Sequence, residues 1–397
     1  MNEQQLLILN SGSSSLKLTL ATADPYRVLA GLVAERLGSD QPELTLDIPF
    51  REHRSLPPGA DHRAALEACL RMLSDNHLLT RTPDGIGHRV VHGGETFTES
   101  KRIDDAVTDA IERCATLAPL HNPANLEGIR VMRGLYPEVP QVAVFDTAFH
   151  QTLPRHAYLY GLPYSLYTEH GVRRYGFHGT SHRFVLGEAA RRLSKPASDT
   201  CLISAHLGNG CSVTAIANGR SVDTSMGLTP LEGLIMGTRS GDIDPGLFDF
   251  MHQRGYSADA INTMLNRESG LKGLSGISND MRTLTERAEA GDEQASLAVA
   301  VFCFRLARYI GAMMASLPRL DAMVFTGGIG ENSARVRAQT LAHLGLVGFA
   351  ADGNANDRNG AGTLGAIHRE SHYPVLVIPT DEEQLIAMDT VAITGSH

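Results

Sequence analysis

The sequence predicts an α/β protein built from two duplicated domains. Three observations predict it. The chain has 397 residues, more than one ordinary hydrophobic core organises. Residues 6–20 read as a strand, a turn of small residues and a second strand, and residues 201–216 repeat that plan. Strand-like apolar runs and helix-period segments alternate between and after these two units. One copy opens each half, so the expectation is two α/β domains facing each other across a cleft. Asn-Gly hairpins are frequent, and the repeat read by itself leaves coincidence open.

The first unit is the most informative. Residues 6–9 form an apolar run, and Leu16, Leu18 and Leu20 alternate as a half-buried strand does. Five small residues, 11–15, join them and offer backbone N–H groups and hydroxyls without bulk, which suits a phosphate chain. Lys17 brings a cation to the same end, and the chain has only four lysines. A plain Ser/Gly hairpin with an exposed lysine reads the same way. It is no Walker loop, because Lys17 lies in the return strand instead of opening a helix.

Composition bounds the rest. Hydrophobic content of 42% and charged content of 20% are those of a folded domain. A net charge of −9 argues against a general nucleic-acid or anionic-membrane binder, though not against ATP held by local groups. The five cysteines (Cys69, Cys114, Cys201, Cys211, Cys303) include no CxxC pair, which fits a reduced, cytoplasmic protein. Residues 1–5 lack the basic and apolar regions of a signal peptide. In residues 297–317, Phe302, Leu306, Ile310, Met313 and Leu317 recur at helical spacing and Arg305 and Arg308 interrupt, so a core helix is expected, not a membrane span.

Further along, residues 60–79 read as a helix and 142–145 as a buried strand ending at Asp146. Residues 147–175, rich in aromatics, Pro and Gly, mark a domain junction or lid. A helix over 189–193 stops at Lys195-Pro196. Strands over 201–207 and 211–216 flank the turn Gly208-Asn209-Gly210, and a third strand follows Asn218-Gly219. A glycine loop, 326–332, follows the strand 323–325 and precedes a helical stretch. It lacks the GxGxxG spacing of a dinucleotide site, but its small residues let a flat nucleoside approach the backbone.

Arginine and histidine stand among glycines at two strand ends. His88-Arg89-Val90-Val91-His92-Gly93-Gly94 and Gly237-Thr238-Arg239-Ser240-Gly241 each place a guanidinium, a fork for carboxylate or phosphoryl oxygens, beside small residues. A structural ion pair with a nearby acid is the competing reading for each. With 17 histidines in the chain, a lone one is more often structural. His121 sits where it can cap the helix after it, whereas Gly176 and Gly179 expose His178, which suits contact with a transferring phosphoryl group. No spacing fits zinc. Asp146 and the run Asp381-Glu382-Glu383 are candidates for magnesium, and Asp381 also reads as a helix start.

Taken together, the runs 9–17, 88–95, 176–182, 206–210, 236–245 and 326–332 resemble the acetate kinase family, in family order, over residues 6 to about 390. The resemblance implies the ribonuclease-H-like fold shared with sugar kinases, actin and heat-shock ATPases. It implies an N-terminal domain of 1–147 plus about 383–397 and a nucleotide-binding domain of 148–382. It also implies a homodimer that transfers a phosphoryl group reversibly from MgATP to acetate, giving acetyl phosphate and ADP, with Mn2+ as a possible substitute metal. By position, Asn10 and Glu382 match residues near magnesium and Lys17 a phosphate-side lysine. Asp146 matches the catalytic aspartate, Arg89 and Arg239 the acyl-phosphate arginines, and His178 the histidine steadying the phosphoryl group, with His121 nearby. His206, Leu207, Gly208, Asn209 and Gly210 match a phosphate loop. Asp280, Met281 and Arg282, with Gly328, Ile329, Gly330, Glu331 and Asn332, match the nucleotide pocket. Val91, Leu120, Phe177 and Pro230 match the lining for the acyl methyl. Gly327 and Asp381 depart from residues common in the family, and neither departure removes an expected ligand.

The chemistry accords with those roles. Acetate is ionised near pH 7, so no strong base is needed, and the task is to bring two anions together and spread charge over the equatorial oxygens. Direct in-line transfer is expected, with Asp146 orienting groups; an aspartyl or histidyl phosphate is the minority route. Propionate kinases carry a smaller residue at the Val91 position, so acetate is expected to be preferred, although one methylene is worth only ~1–3 kcal/mol. Two other classes compete: a non-catalytic nucleotide switch, which needs no convergence of arginines and histidine, and a sugar kinase, which needs a general base.

Overall fold

The computed structural model describes residues 3–119 and 121–395. The chain falls into two compact units, Met1–Gln151 with Asp381–His397, and Thr152–Thr380. The breaks follow Gln151 and Thr380, not residues 147 and 382. Hydrogen bonds explain the difference. The Gln151 amide donates to the Gly94 carbonyl (3.0 Å), and the Thr147 hydroxyl accepts from the Gly93 N–H (3.0 Å), which ties 147–151 to the first unit. Asp381 caps the helix Glu382–Thr394, its carboxylate accepting from the Gln384 N–H at 2.8 Å, so it goes with that helix.

The first unit is built on strands β1 (Gln5–Ser11), β2 (Ser15–Thr22), β3 (Arg27–Glu35), β4 (Glu43–Ile48), β5 (Glu52–Ser55), β6 (Gly85–Val90), β7 (Lys101–Arg102) and β8 (Gln141–Phe145). Their order in the sheet is β5-β4-β3-β2-β1-β6-β8-β7. β1 runs antiparallel to β2 and parallel to β6, which runs parallel to β8. The unbroken apolar run of β1 is explained by cover on both faces. Leu7 and Leu9 join the core that includes Val131 and Met132 of the helix Asn122–Leu135, while Leu6 and Ile8 pack with Ile386 and Ala387 of the terminal helix. Each such side chain gains ~1.5–3 kcal/mol from burial. Gly87 in β6 makes the terminal helix's approach possible: a Cβ there would lie 2.5 Å from Ile386 Cγ2.

The second unit repeats the arrangement with β9 (Leu202–Leu207), β10 (Cys211–Ala217), β11 (Arg220–Thr224), β12 (Ala322–Thr326) and β13 (Val375–Val377), in the order β11-β10-β9-β12-β13. Here β9 is antiparallel to β10 and parallel to β12, and β12 is parallel to β13. The five central strands β3-β2-β1-β6-β8 and β11-β10-β9-β12-β13 therefore match in order and in direction, which is the duplication the two hairpins announce.

The apolar helix runs from Glu293 to Met314 and is long and apolar enough to cross a membrane. It packs within the second unit against β9, β10 and the helices Gly270–Ser275, Met281–Glu289 and Ala334–Ala342, burying Phe302, Leu306, Ile310 and Met313. Leu317 falls outside it. Pro318 disfavours helical backbone at the residue before it, and the helix ends three residues earlier at Met314. The expected helix over 60–79 is shorter, His62–Asp75, started by the Asp61 side chain on the Ala64 N–H.

Candidate active site

In the first unit the candidate residues gather at the carboxyl ends of neighbouring parallel strands, where open α/β sheets place their ligands. Asn10 and Arg89 lie near the ends of β1 and β6, and Asp146 follows β8 directly. Arg89 forks onto Asp146: Nε donates to both carboxylate oxygens at 3.1 Å and Nη2 to Oδ2 at 2.6 Å. Its Nη1 donates to Asn10 Oδ1 at 3.2 Å. Asp146 is 1% exposed. Burial opposes the charge on Arg89, but Asp146 and Glu382 outweigh it and hold the guanidinium more firmly protonated than usual. The structural-pair reading of Arg89 thus applies in part, its partner being a second candidate residue.

Lys17 is ion-paired with Glu383 of the terminal helix, and Thr19 donates to the same carboxylate at 2.9 Å. Next to it, Glu382 is pushed up by burial and by the charges of Asp146 and Glu383, against the pull of Arg89 and Lys17. Val91 is buried, its N–H donating to Asn125 Oδ1 at 3.0 Å. His121 stands at the start of the helix Asn122–Leu135 without its side chain capping it. Leu120 lies outside the described residues.

In the second unit His178 occupies left-handed backbone (φ 57°, ψ 22°) at the start of the helix Gly179–Arg192, an uncommon conformation for a residue with a side chain. Its Nδ1 is 3.0 Å from Ser212 Oγ, and its ring centroid is 4.3 Å from that of His206. His206 Nδ1 is 2.8 Å from Ser181 Oγ. Phe177 is buried beside it in sequence. Arg239 donates through Nη1 to the Pro230 carbonyl at 3.0 Å, and also approaches Met236 Sδ at 3.6 Å. Burial lowers its affinity for its proton, opposed only by the nearby Cys211. Among the described residues Arg239 has no carboxylate partner, so a mostly buried cation stands with its charge uncompensated. The two arginines, read alike from their glycine-rich surroundings, differ here. A Cβ built on Gly210 would lie 3.4 Å from His178 Nε2 and 3.6 Å from Arg239 Nη1, so these two groups converge on one point.

A cavity of about 430 Å³ opens beside this point in the same unit. Gly208, Asn209, Asp280, Met281, Arg282, Gly328, Ile329 and Asn332 line it. His206, Leu207, Gly210, Gly330 and Glu331, also expected at this site, are not among the lining residues. The 326–332 loop is itself mostly helical, Gly327–Asn332, which differs from the expected loop before a helix. Gly327 has φ +74°, and a Cβ there would lie 2.8 Å from the Leu207 carbonyl oxygen. The Glu331 carboxylate closes the turn by accepting from the Gly327 N–H (2.9 Å) and the Thr380 N–H (3.1 Å).

Among the described residues no group of three or more His, Cys, Asp or Glu is placed to hold a metal by itself. Asn10, Asp146 and Glu382 do supply hard oxygen donors within the first unit, and magnesium is suited by one or two carboxylates with phosphate and water oxygens completing its shell. The donor set fits that ion and not a soft-ligand metal.

The model of the Acetokinase family matches residues 5–388. The chain is 54% identical to an acetate kinase of Pseudomonas aeruginosa over 395 residues, 99% of this chain and all of that one. The chain belongs to the acetokinase family. Solved structures agree in fold. A propionate kinase from Francisella tularensis aligns with a TM-score of 0.94 at 42% identity, covering 98% of this chain and 100% of that one. Acetate kinase from Porphyromonas gingivalis gives 0.92 at 42% identity, covering 98% and 99%.

Several contributors escaped the sequence reading. Asn122 and Asn125, from one helix, clamp the chain after β6: Asn122 Oδ1 accepts from the His92 N–H at 3.1 Å and its Nδ2 donates to the His92 carbonyl at 2.9 Å. The signal was present as two amides three residues apart following the His121 position. Asn279, Thr285, Glu286 and Ser333 also line the cavity. Asn279 donates to Asn209 Oδ1 at 3.0 Å, fixing a residue of the turn between β9 and β10.

Proposed function

We propose that this chain transfers the γ-phosphoryl group of ATP reversibly to acetate, giving acetyl phosphate and ADP. A carboxylate oxygen of acetate attacks the γ-phosphorus in line, and the bond to the β,γ-bridging oxygen breaks, its electron pair leaving with ADP. The observation that carries this reading is the mostly buried Arg239 guanidinium, without a carboxylate partner among the described residues and meeting His178 Nε2 at Gly210. Such a pair asks for an anionic oxygen and suits the equatorial oxygens of a transferring phosphoryl group.

The other roles follow from the same reading. The cavity flanked by Asp280–Arg282 and Gly328–Asn332 takes the nucleoside, and residues 206–210 take the phosphates. Lys17 stands on the phosphate side, and Arg89 supplies the cation that orients the acyl phosphate. Asp146 fixes Arg89 and acts as an orienting group; both its oxygens are engaged by Arg89, which supports direct transfer over a phospho-aspartate. Magnesium, or manganese, held through Asn10 and Glu382, would neutralise phosphate charge. With valine at position 91, acetate is favoured over propionate. The active form is a cytoplasmic homodimer.

The test is hydroxamate trapping of acyl phosphate formed from MgATP with acetate, propionate and butyrate, compared by kcat/KM. A clear preference for acetate is expected. A preference for propionate would overturn the role of Val91, and no hydroxamate from any acid, despite ATP binding, would overturn the function.

A further inference from the structure

Behind His178 lies a chain of buried hydroxyls and imidazoles that the reaction as described leaves unused. His178 Nδ1 is 3.0 Å from Ser212 Oγ, and the same oxygen is 2.8 Å from His182 Nε2. His182 Nδ1 is in turn 2.9 Å from Ser204 Oγ. Ser204, Ser212 and His182 are all 0% exposed. They stand on β9, on β10 and on the helix Gly179–Arg192, three elements of one unit.

The count of protons gives this chain a direction. Each serine hydroxyl has one proton, and each neutral imidazole has one N–H and one bare nitrogen. Ser212 faces two nitrogens, so it donates to one and accepts from the other. Ser204 Oγ has, among the described residues, no side-chain partner besides His182 Nδ1. Two senses are available. In one, Ser204 donates to His182 Nδ1, His182 donates from Nε2 to Ser212, and Ser212 donates to His178 Nδ1. All three contacts are made and no hydroxyl proton is left over. In the other sense every bond reverses, and the Ser204 proton is stranded in a site without solvent, which buried polar groups avoid.

We propose that Ser204, His182 and Ser212 form a one-way hydrogen-bond relay that holds neutral His178 with its proton on Nε2. That nitrogen is the one that converges with Arg239 Nη1 at Gly210, so the relay presents two N–H donors to a single anionic oxygen. The relay members are positioning residues, and their role rests on the phosphoryl-transfer reading above. The opposite tautomer would aim a lone pair at that oxygen and repel it.

The test uses the full-length protein labelled with 15N-histidine. Long-range 1H–15N spectra at pH 8 assign the bare and protonated nitrogens, with His178→Gln and His182→Gln identifying the signals. Protons on Nε2 of both His178 and His182 are expected. A proton on His178 Nδ1 would overturn the relay. Ser212→Ala, shown folded by circular dichroism, is expected to lower kcat roughly 10- to 100-fold with KM for ATP and acetate within about twofold, as loss of a group orienting a working histidine does. Ser212→Thr, which keeps the hydroxyl, is expected to recover most of the rate. Unchanged kcat in Ser212→Ala also overturns the relay. Full turnover in His178→Gln defeats the assignment of His178 itself, whereas an inactive His178→Gln combined with a proton on Nδ1 defeats the relay alone.

Discussion

Arg337→Met tests whether the wall of the cavity proposed for the nucleoside is held by one buried cation. Arg337 is 0% exposed in the helix Ala334–Ala342. Its Nη1 donates to the carbonyls of Gly330 (2.8 Å) and Glu331 (2.9 Å), its Nε to Asn356 Oδ1 (2.7 Å), and its Nη2 to the Asn356 carbonyl (2.7 Å) and Asn359 Oδ1 (2.6 Å). Burial pulls the guanidinium down to about 10, so it stays charged at neutral pH. Methionine fills similar space but leaves five acceptors unmet. Such removals cost roughly 3–5 kcal/mol in all, since relaxation and entering water offset part of the loss. For a unit of this size each kcal/mol shifts the midpoint by about 2–4 °C, so a drop in Tm on the order of 10 °C is expected. Gly330 and Glu331 belong to the turn that carries Gly328, Ile329 and Asn332, so a loosened turn should also raise the KM for ATP about fivefold, the equivalent of ~1 kcal/mol. Thermal unfolding followed by circular dichroism, with the KM for ATP taken from the hydroxamate assay, decides it. Unchanged Tm together with unchanged KM refutes the reasoning.

Arg239→Ala should lower kcat roughly 10²–10³-fold with little loss of stability, because among the described residues no carboxylate depends on it; steady-state kinetics and a melting curve check both halves. Gly210→Ala should fold normally, since its Cβ makes only ordinary contacts of 3.4 and 3.6 Å, yet lose most turnover because the methyl occupies the point shared by His178 and Arg239. Expression and melting at wild-type level with intact turnover would show that this point is not where the phosphoryl oxygen sits. His88 gives a pH dependence: burial pushes it down to about 4, against the opposing bond to Gln141. Between that value and its ordinary ~6.5 the unfolded chain binds the extra proton, so stability is full above pH 6.5 and falls by about 3 kcal/mol as pH drops to 4. Urea unfolding at pH 7.5 and 5.0 should therefore show a smaller acid loss in His88→Gln than in the wild type.

What the sequence made legible was local. The strands of both hairpins follow from alternation and small-residue turns, and their repetition announced two sheets of one plan. The glycines and polar residues clustered at strand ends pointed to the cavity now seen beside Gly208 and Asn209. Partner choice was not legible, because it is set by contacts between distant segments. Arg89 and Arg239 look alike in sequence, yet Asp146, 57 residues on, pairs with Arg89. Lys17 reads as free for phosphate, but Glu383, supplied by the last helix, meets it. The turn at 327–332 reads as a loop because Gly327 and Gly330 disfavour helix, and the Glu331 carboxylate and Arg337 overrule that local preference.

The two units carry different chemistry on sheets of one plan. In the first, the ends of β1, β6 and β8 carry charge on both sides: Arg89 against Asp146, with Lys17, Glu382 and Glu383 nearby. In the second, β9, the start of β10 and the first turn of the helix Gly179–Arg192 with the preceding His178 carry imidazoles and hydroxyls, His178, His182, His206, Ser181, Ser204 and Ser212, and Arg239 adds a cation with no carboxylate partner among the described residues. A charged cluster tolerates a further anion only where metal or cation neutralises it, whereas neutral donors accept a phosphate oxygen without first displacing a carboxylate. The division of labour therefore follows from electrostatics. On the function proposed above, the first unit suits the metal and the acyl anion and the second the polyphosphate, although five strands of each sheet share one topology.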